Sequence, residues 1–104
     1  MCKVVINGQE YEYRLDMGAM LYYEELSANL DESQRTASRL GFVMHYACLL
    51  GDERFGMMFD EFVRSIDTQE VLDALTAASA AENKRWSARN PQANETKDGD
   101  VKKK

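Results

Sequence analysis

What this sequence has little of removes most kinds of chemistry before any motif is sought. There is one histidine, His45, and there are two cysteines, Cys2 and Cys48. His45 and Cys48 share a helix face, but two ligands do not make a zinc site and no other Cys or His completes one. Cys2 stands at a strand start and Cys48 in a helical stretch. That placement suggests neither a disulfide nor a metal, so a reducing, cytoplasmic setting is expected. Gly51 and Gly56 stand alone, without the Lys-Ser/Thr that a phosphate loop needs. No apolar run approaches the roughly 18 residues of a membrane span, and no charged-then-apolar leader precedes Val4. Basic charge is also scarce. Residues 1–86 hold 8 Lys/Arg against 15 Asp/Glu, a net of −7. Residues 87–104 hold 5 against 3, a net of +2. An acidic body opposes a phosphate backbone, so no nucleic-acid partner is expected.

Catalytic constellations are missing as well. Ser38, His45 and Asp52 lie seven positions apart on one helical stretch. Two turns of helix, about 10 Å, separate their side chains too far for a triad. The pairs Glu24-Glu25, Asp52-Glu53 and Asp60-Glu61 diverge by about 100° on a helix and read as solvated faces. His45 reads as a core-edge histidine. No catalytic group, metal or cofactor is expected.

What is present is architecture. Val4-Val5-Ile6 runs into Asn7-Gly8, and Gln9-Glu10-Tyr11-Glu12-Tyr13-Arg14-Leu15 follows. Asn-Gly between two strand-like runs predicts a hairpin on a type I′ turn, which needs φ > 0 at both central residues. The register then sets Ile6 against Gln9, Val4 against Tyr11 and Cys2 against Tyr13. Alternation puts Cys2, Val4, Ile6, Tyr11, Tyr13 and Leu15 on one face and Lys3, Val5, Glu10, Glu12 and Arg14 on the other. A lone two-stranded hairpin is marginal in water, so the first face must be covered, by Leu26, Met44 or their neighbours.

Helices account for the rest. Asp16 predicts an N-cap for a helix over Met17 to Ala28, with Ala19, Tyr22/Tyr23, Leu26 and Leu30 as its stripe. The next, Gln34 to Leu50, carries two stripes, one of Ala37, Leu40, Gly41, Met44, Ala47 and Cys48, the other of Phe42, Val43, Tyr46, Leu49 and Leu50. A helix apolar on two sides is buried, or meets a second subunit. Gly41 inside it predicts close approach by a neighbour, and Gly51 takes the C-cap role. A short helix spans Met58 to Ser65. Asp67-Thr68-Gln69-Glu70 has capping-box spacing ahead of a last helix running to about Trp86. After Arg89-Asn90-Pro91 periodicity disappears, and a tail that poor in apolar residues is expected to be disordered. The fold class is therefore α+β: a hairpin and about four helices in one domain over 1–86, with a disordered polar tail over 87–104.

Six methionines and ten aromatics exceed what so small a core must use. Met and aromatic side chains make adaptable protein-binding surfaces. Tyr22, Phe42, Tyr46, Met57, Met58 and Phe59 are the candidate partner-binding residues. The two apolar faces of the central helix and the unpaired strand edges predict a homo-oligomer.

The order of elements, from the Val4–Tyr11 hairpin through Tyr22-Tyr23-Glu24-Glu25-Leu26, the Leu40–Leu50 helix and Phe59-Asp60-Glu61-Phe62-Val63-Arg64-Ser65-Ile66-Asp67, resembles the tail assembly chaperones of long-tailed phages and prophages. The likeness covers about residues 3–86 and rests on a pattern of hydrophobic types. It implies a non-enzymatic protein of the bacterial host cytoplasm whose partners are the tape measure protein and tail tube components. Chaperones of that family are often made in two lengths by a ribosomal slip, and Lys102-Lys103-Lys104 implies adenine-rich codons, so this chain is expected to be the short form. Two other readings stand beside it: a structural phage subunit, such as a connector or tube component, and a small helical regulatory protein.

Overall fold

The computed structural model describes residues 2–89. Strands β1 (Cys2–Ile6) and β2 (Gln9–Tyr13) pair antiparallel in the expected register, Cys2 opposite Tyr13, Val4 opposite Tyr11 and Ile6 opposite Gln9. Asn7 and Gly8 have φ of 54° and 78°, the two positive values that a type I′ turn demands. Four helices follow: α1 (Met17–Ala28), α2 (Ala37–Leu49), α3 (Phe59–Ser65) and α4 (Gln69–Arg89), with a single 3-10 turn at Glu32–Gln34 between the first two. The architecture is the α+β arrangement expected.

The hairpin's apolar face rests on α4 beneath β1 and on α2 beneath β2. Val4, Ile6, Tyr11, Tyr13 and Leu15 are buried with Leu49, Phe55, Phe62 and Leu75. Leu26 and Met44 sit half-buried at the rim of that cluster. Phe55, from the loop between α2 and α3, meets Tyr11 edge-on at 5.1 Å and Tyr46 at 5.6 Å. Such T-shaped pairs add directional energy to the area they bury.

Several local expectations need correction. α2 begins at Ala37, and its first turn is exposed; burial starts at Val43 and uses Tyr46, Ala47, Cys48 and Leu49 inside the molecule. Its two stripes are thus largely spent on the chain's own core. A Cβ at Gly41 would meet nothing within 4 Å, so no close neighbour explains that glycine. α2 ends on Leu50 in the right-handed region, and Gly51 does not adopt positive φ. Thr68, not Asp67, caps α4, its Oγ1 accepting from Val71 N–H at 3.3 Å. α4 continues through Ser87, Ala88 and Arg89, three residues past the expected domain end. Positions 90–104, the rest of the expected disordered tail, lie outside the described residues.

Asp52 reverses the solvated reading most sharply. Its side chain is 7% exposed. Its Oδ2 accepts from the Glu12 backbone N–H at 2.8 Å, and its Oδ1 accepts from Arg54 N–H at 2.9 Å. The Arg54 guanidinium closes on both oxygens. Tertiary placement, not sequence spacing, puts a donor from β2 in front of this carboxylate.

Candidate functional site

α1 departs from ordinary surface-helix design. Asp16, extended at φ −142° and ψ −175°, starts it by accepting Ala19 N–H on Oδ1 at 2.9 Å. Ala19 is buried, and Tyr23 and Leu26 are half-buried on the side facing α2. The opposite side is apolar too. Met17 is 60% exposed, Leu21 58%, Tyr22 44% and Met20 37%. Met17, Met20 and Leu21 follow i, i+3, i+4 spacing and so form one outward patch. These three and Tyr22 make up four of the six large hydrophobics left exposed among the described residues. Glu24 and Glu25, both exposed, follow the patch within a turn, and no cation pairs with either among the described residues.

A second apolar feature lies between α2 and α3. Phe42, Phe59 and Val63 line a shallow groove of about 230 Å³, with Thr36, Ser38 and Arg39 at its polar margin. Tyr46 stacks edge-on against Phe59 at 5.4 Å. Met58, next in chain to Phe59, is 73% exposed.

The six candidate residues therefore separate. Phe42 and Phe59 meet at one groove. Met58 stands free beside it. Met57 is half-buried, its sulfur 3.8 Å from the Ser65 hydroxyl that donates to it. Tyr46 is buried, its ring packed among Phe55, Phe59 and Phe62 and its hydroxyl donating to the Met57 carbonyl at 2.6 Å. It supports the groove from within and is corrected from contact residue to core residue. Tyr22 lines a different depression, with Glu12, Arg14 and Asp52. Sequence reasoning weighed Met17 and Met20 among the methionines of an adaptable surface but left them off the candidate list, and it missed Leu21. The signal was available: all three fall off the Ala19–Leu26 stripe and make α1 apolar on two sides.

The buried polar groups are occupied structurally. Glu82 is buried on α4 and accepts Leu15 N–H at 2.9 Å. Arg85 bonds the same carboxylate at 3.0 Å and donates to the Leu15 carbonyl at 2.6 Å. The Glu82–Arg85 pair thereby clamps both backbone groups of Leu15 where the chain leaves the hairpin. Burial alone would raise the Glu82 pKa; the Arg85 and Leu15 hydrogen bonds outweigh it and hold the group below its usual value. Tyr13 and His45 share a 2.8 Å hydrogen bond. Burial raises the Tyr13 pKa and lowers that of His45, so the bond joins a neutral phenol to a neutral imidazole. Burial pushes the Cys48 thiol up to about 11, far from the thiolate a nucleophile needs.

No known protein family, curated protein or solved structure matches the chain.

Proposed function

We propose that this chain is a non-enzymatic, client-binding protein that acts as a phage or prophage tail assembly chaperone, holding the tape measure protein in solution while the tail is built. The observation that carries the reading is the outward patch Met17, Met20 and Leu21 on α1, with exposed Tyr22 next in chain, followed by the carboxylates of Glu24 and Glu25, which have no ion-pair partner among the described residues. A helix that already spends one face on its own core has no internal use for a second. An amphipathic client helix fits it, laying apolar residues at i, i+3, i+4 on the patch and Lys or Arg against the two glutamates. The acidic body, net −7 over residues 1–86, favours encounter with a basic segment over a wide range of approach. The groove at Phe42 and Phe59 provides a further apolar contact with an arginine beside it.

Co-expression with a phage tape measure protein is the direct test. The expected result is co-purification and a larger soluble yield of the client. Leu21→Ser and Met17→Ser should remove both effects while leaving the fold intact. A soluble tape measure fragment that the wild-type chain fails to retain refutes the reading.

A further inference from the structure

We propose that two copies of this chain pair through the free edge of β1 and the alanine face of α4, forming a two-fold dimer with a continuous four-stranded sheet. The surface lies on β1 and α4, apart from the α1 patch, so it stands or falls independently of client binding.

The two edges of the hairpin are treated differently. Ile6 and Gln9 flank the two-residue turn and form a hydrogen-bonded pair. Alternation then points the N–H and C=O groups of Lys3 and Val5 out from β1, and those of Glu10 and Glu12 out from β2. On the β2 side, Asp52 accepts the Glu12 N–H and the Cys48 carbonyl accepts the next one along, Arg14 N–H at 3.0 Å. That edge is capped at its Glu12–Arg14 end. On the β1 side, no backbone hydrogen bond reaches Lys3 or Val5 from outside the hairpin among the described residues. Val5 is half-exposed there, and a groove of about 360 Å³ runs along the edge, floored by Val71 and Ala74 of α4. An open strand edge is a template for another strand.

A second copy is the occupant because two independent registers converge on one axis. A two-fold through Val4 sets Lys3 of one copy opposite Val5 of the other, and the four outward groups on each strand then form four hydrogen bonds. α4 fixes its own centre. It begins beside Asn7 and Gly8, which share the groove with Glu70. It passes Glu82 where Leu15 leaves the hairpin, at the Cys2–Tyr13 end. So α4 runs antiparallel to β1. Three residues of strand, about 10 Å, take β1 from Asn7 to Val4. The same distance along a helix is about seven residues, which takes α4 from Glu70 to Ala77. The axis through Val4 therefore passes Ala77.

The α4 face at that axis suits a symmetric contact. Glu70, Ala74, Ala77, Ala81 and Lys84 recur at three-to-four spacing on one side of α4, and Glu70 and Ala74 of that row line the groove along β1. Ala77 and Ala81 are exposed and small enough for two helices to approach closely. About Ala77, antiparallel helices place Glu70 opposite Lys84 of the other copy, twice. Neither residue has an ion-pair partner within the chain among the described residues. Charge complementarity thus falls at both ends of the alanine contact with no adjustment of register.

Sedimentation equilibrium of the full chain tests this, with Glu70→Lys, Lys84→Glu and the double reversal. The wild type should be a dimer that dissociates on dilution. Each single reversal turns two attractions into two repulsions and should weaken association about tenfold. The double reversal should restore it. Both positions of change are exposed, and circular dichroism should report an unaltered fold. Amide hydrogen exchange of the wild type supplies a readout free of mutation: Lys3 and Val5 amides should be protected in the dimer and exchange fast after dilution. A monomer at every concentration, a dimer indifferent to both single reversals, a double reversal that stays monomeric, or fast exchange at Lys3 and Val5 in a concentrated sample each overturns the proposal.

Discussion

At the residue scale, the most consequential side chain is a carboxylate that looks unremarkable in sequence. Asp52 holds Glu12 of β2 and Arg54 of its own loop, and the Arg54 hydrogen bonds lead in keeping its pKa well below the usual carboxylate value. Asp52→Ala would leave the Glu12 N–H without its acceptor and should cost about 2 kcal/mol, read from the urea midpoint. The same group sets the acid behaviour. A carboxylate with a depressed folded pKa contributes stability that is complete above its unfolded pKa, about 4, and that is lost as pH falls through the folded value. Glu82 acts in the same direction. The urea midpoint should therefore drop steeply below about pH 5, and the drop should be shallower in Asp52→Asn. Equal slopes in the two proteins would show that Asp52 contributes nothing to the acid response. His45, with its pKa lowered by burial, adds a milder loss beginning as pH falls below about 6.5. Gly41 runs the opposite way. Space is open around it on an exposed helical turn, so Gly41→Ala should stabilise by about 1 kcal/mol, measured by thermal melting.

At the element scale, the hairpin and its turn are the part most tightly specified. Asn7 takes positive φ and donates from Nδ2 to the Ser65 hydroxyl at 3.1 Å, tying the turn to the end of α3. Asn7→Ala loses that bond and meets the left-handed penalty of about 1–2 kcal/mol, so a thermal melt should show a clear fall in midpoint. α1 presents the reverse case, a helix whose outward residues do little for folding. Leu21→Ser should change stability by less than about 0.5 kcal/mol while abolishing client retention. A large stability loss would show that Leu21 belongs to the core and would remove α1 as a docking face.

At the scale of the whole molecule, two kinds of surface are left unused among the described residues. The apolar patch of α1 suits a foreign helix, and the β1 edge with the alanine face of α4 suits a second copy. The two are separable by experiment because stability responds differently to each. Self-pairing makes the melting temperature rise with protein concentration, by mass action. Leu21→Ser should leave that rise intact, whereas Glu70→Lys should flatten it.

The hairpin, its register, its buried face and the order of helices were legible in the sequence because each rests on local rules. Asn7-Gly8 admits one turn type, alternation assigns Val4, Ile6, Tyr11 and Tyr13 to one side, and Asp16 caps a helix within three residues of itself. What local rules do not reach is which apolar side chains the molecule consumes. Tyr46 and Met58 look alike as candidates, yet Tyr46 is enclosed by three phenylalanines and Met58 is left in water. Asp52 and Glu53 look alike as a solvated pair, yet Asp52 meets a strand forty positions away in sequence. Periodicity fixes a direction relative to a helix axis, and only packing decides what stands in that direction. So how far each apolar residue of α1 is left in water, and which of the two strand edges is capped, are decided by tertiary structure.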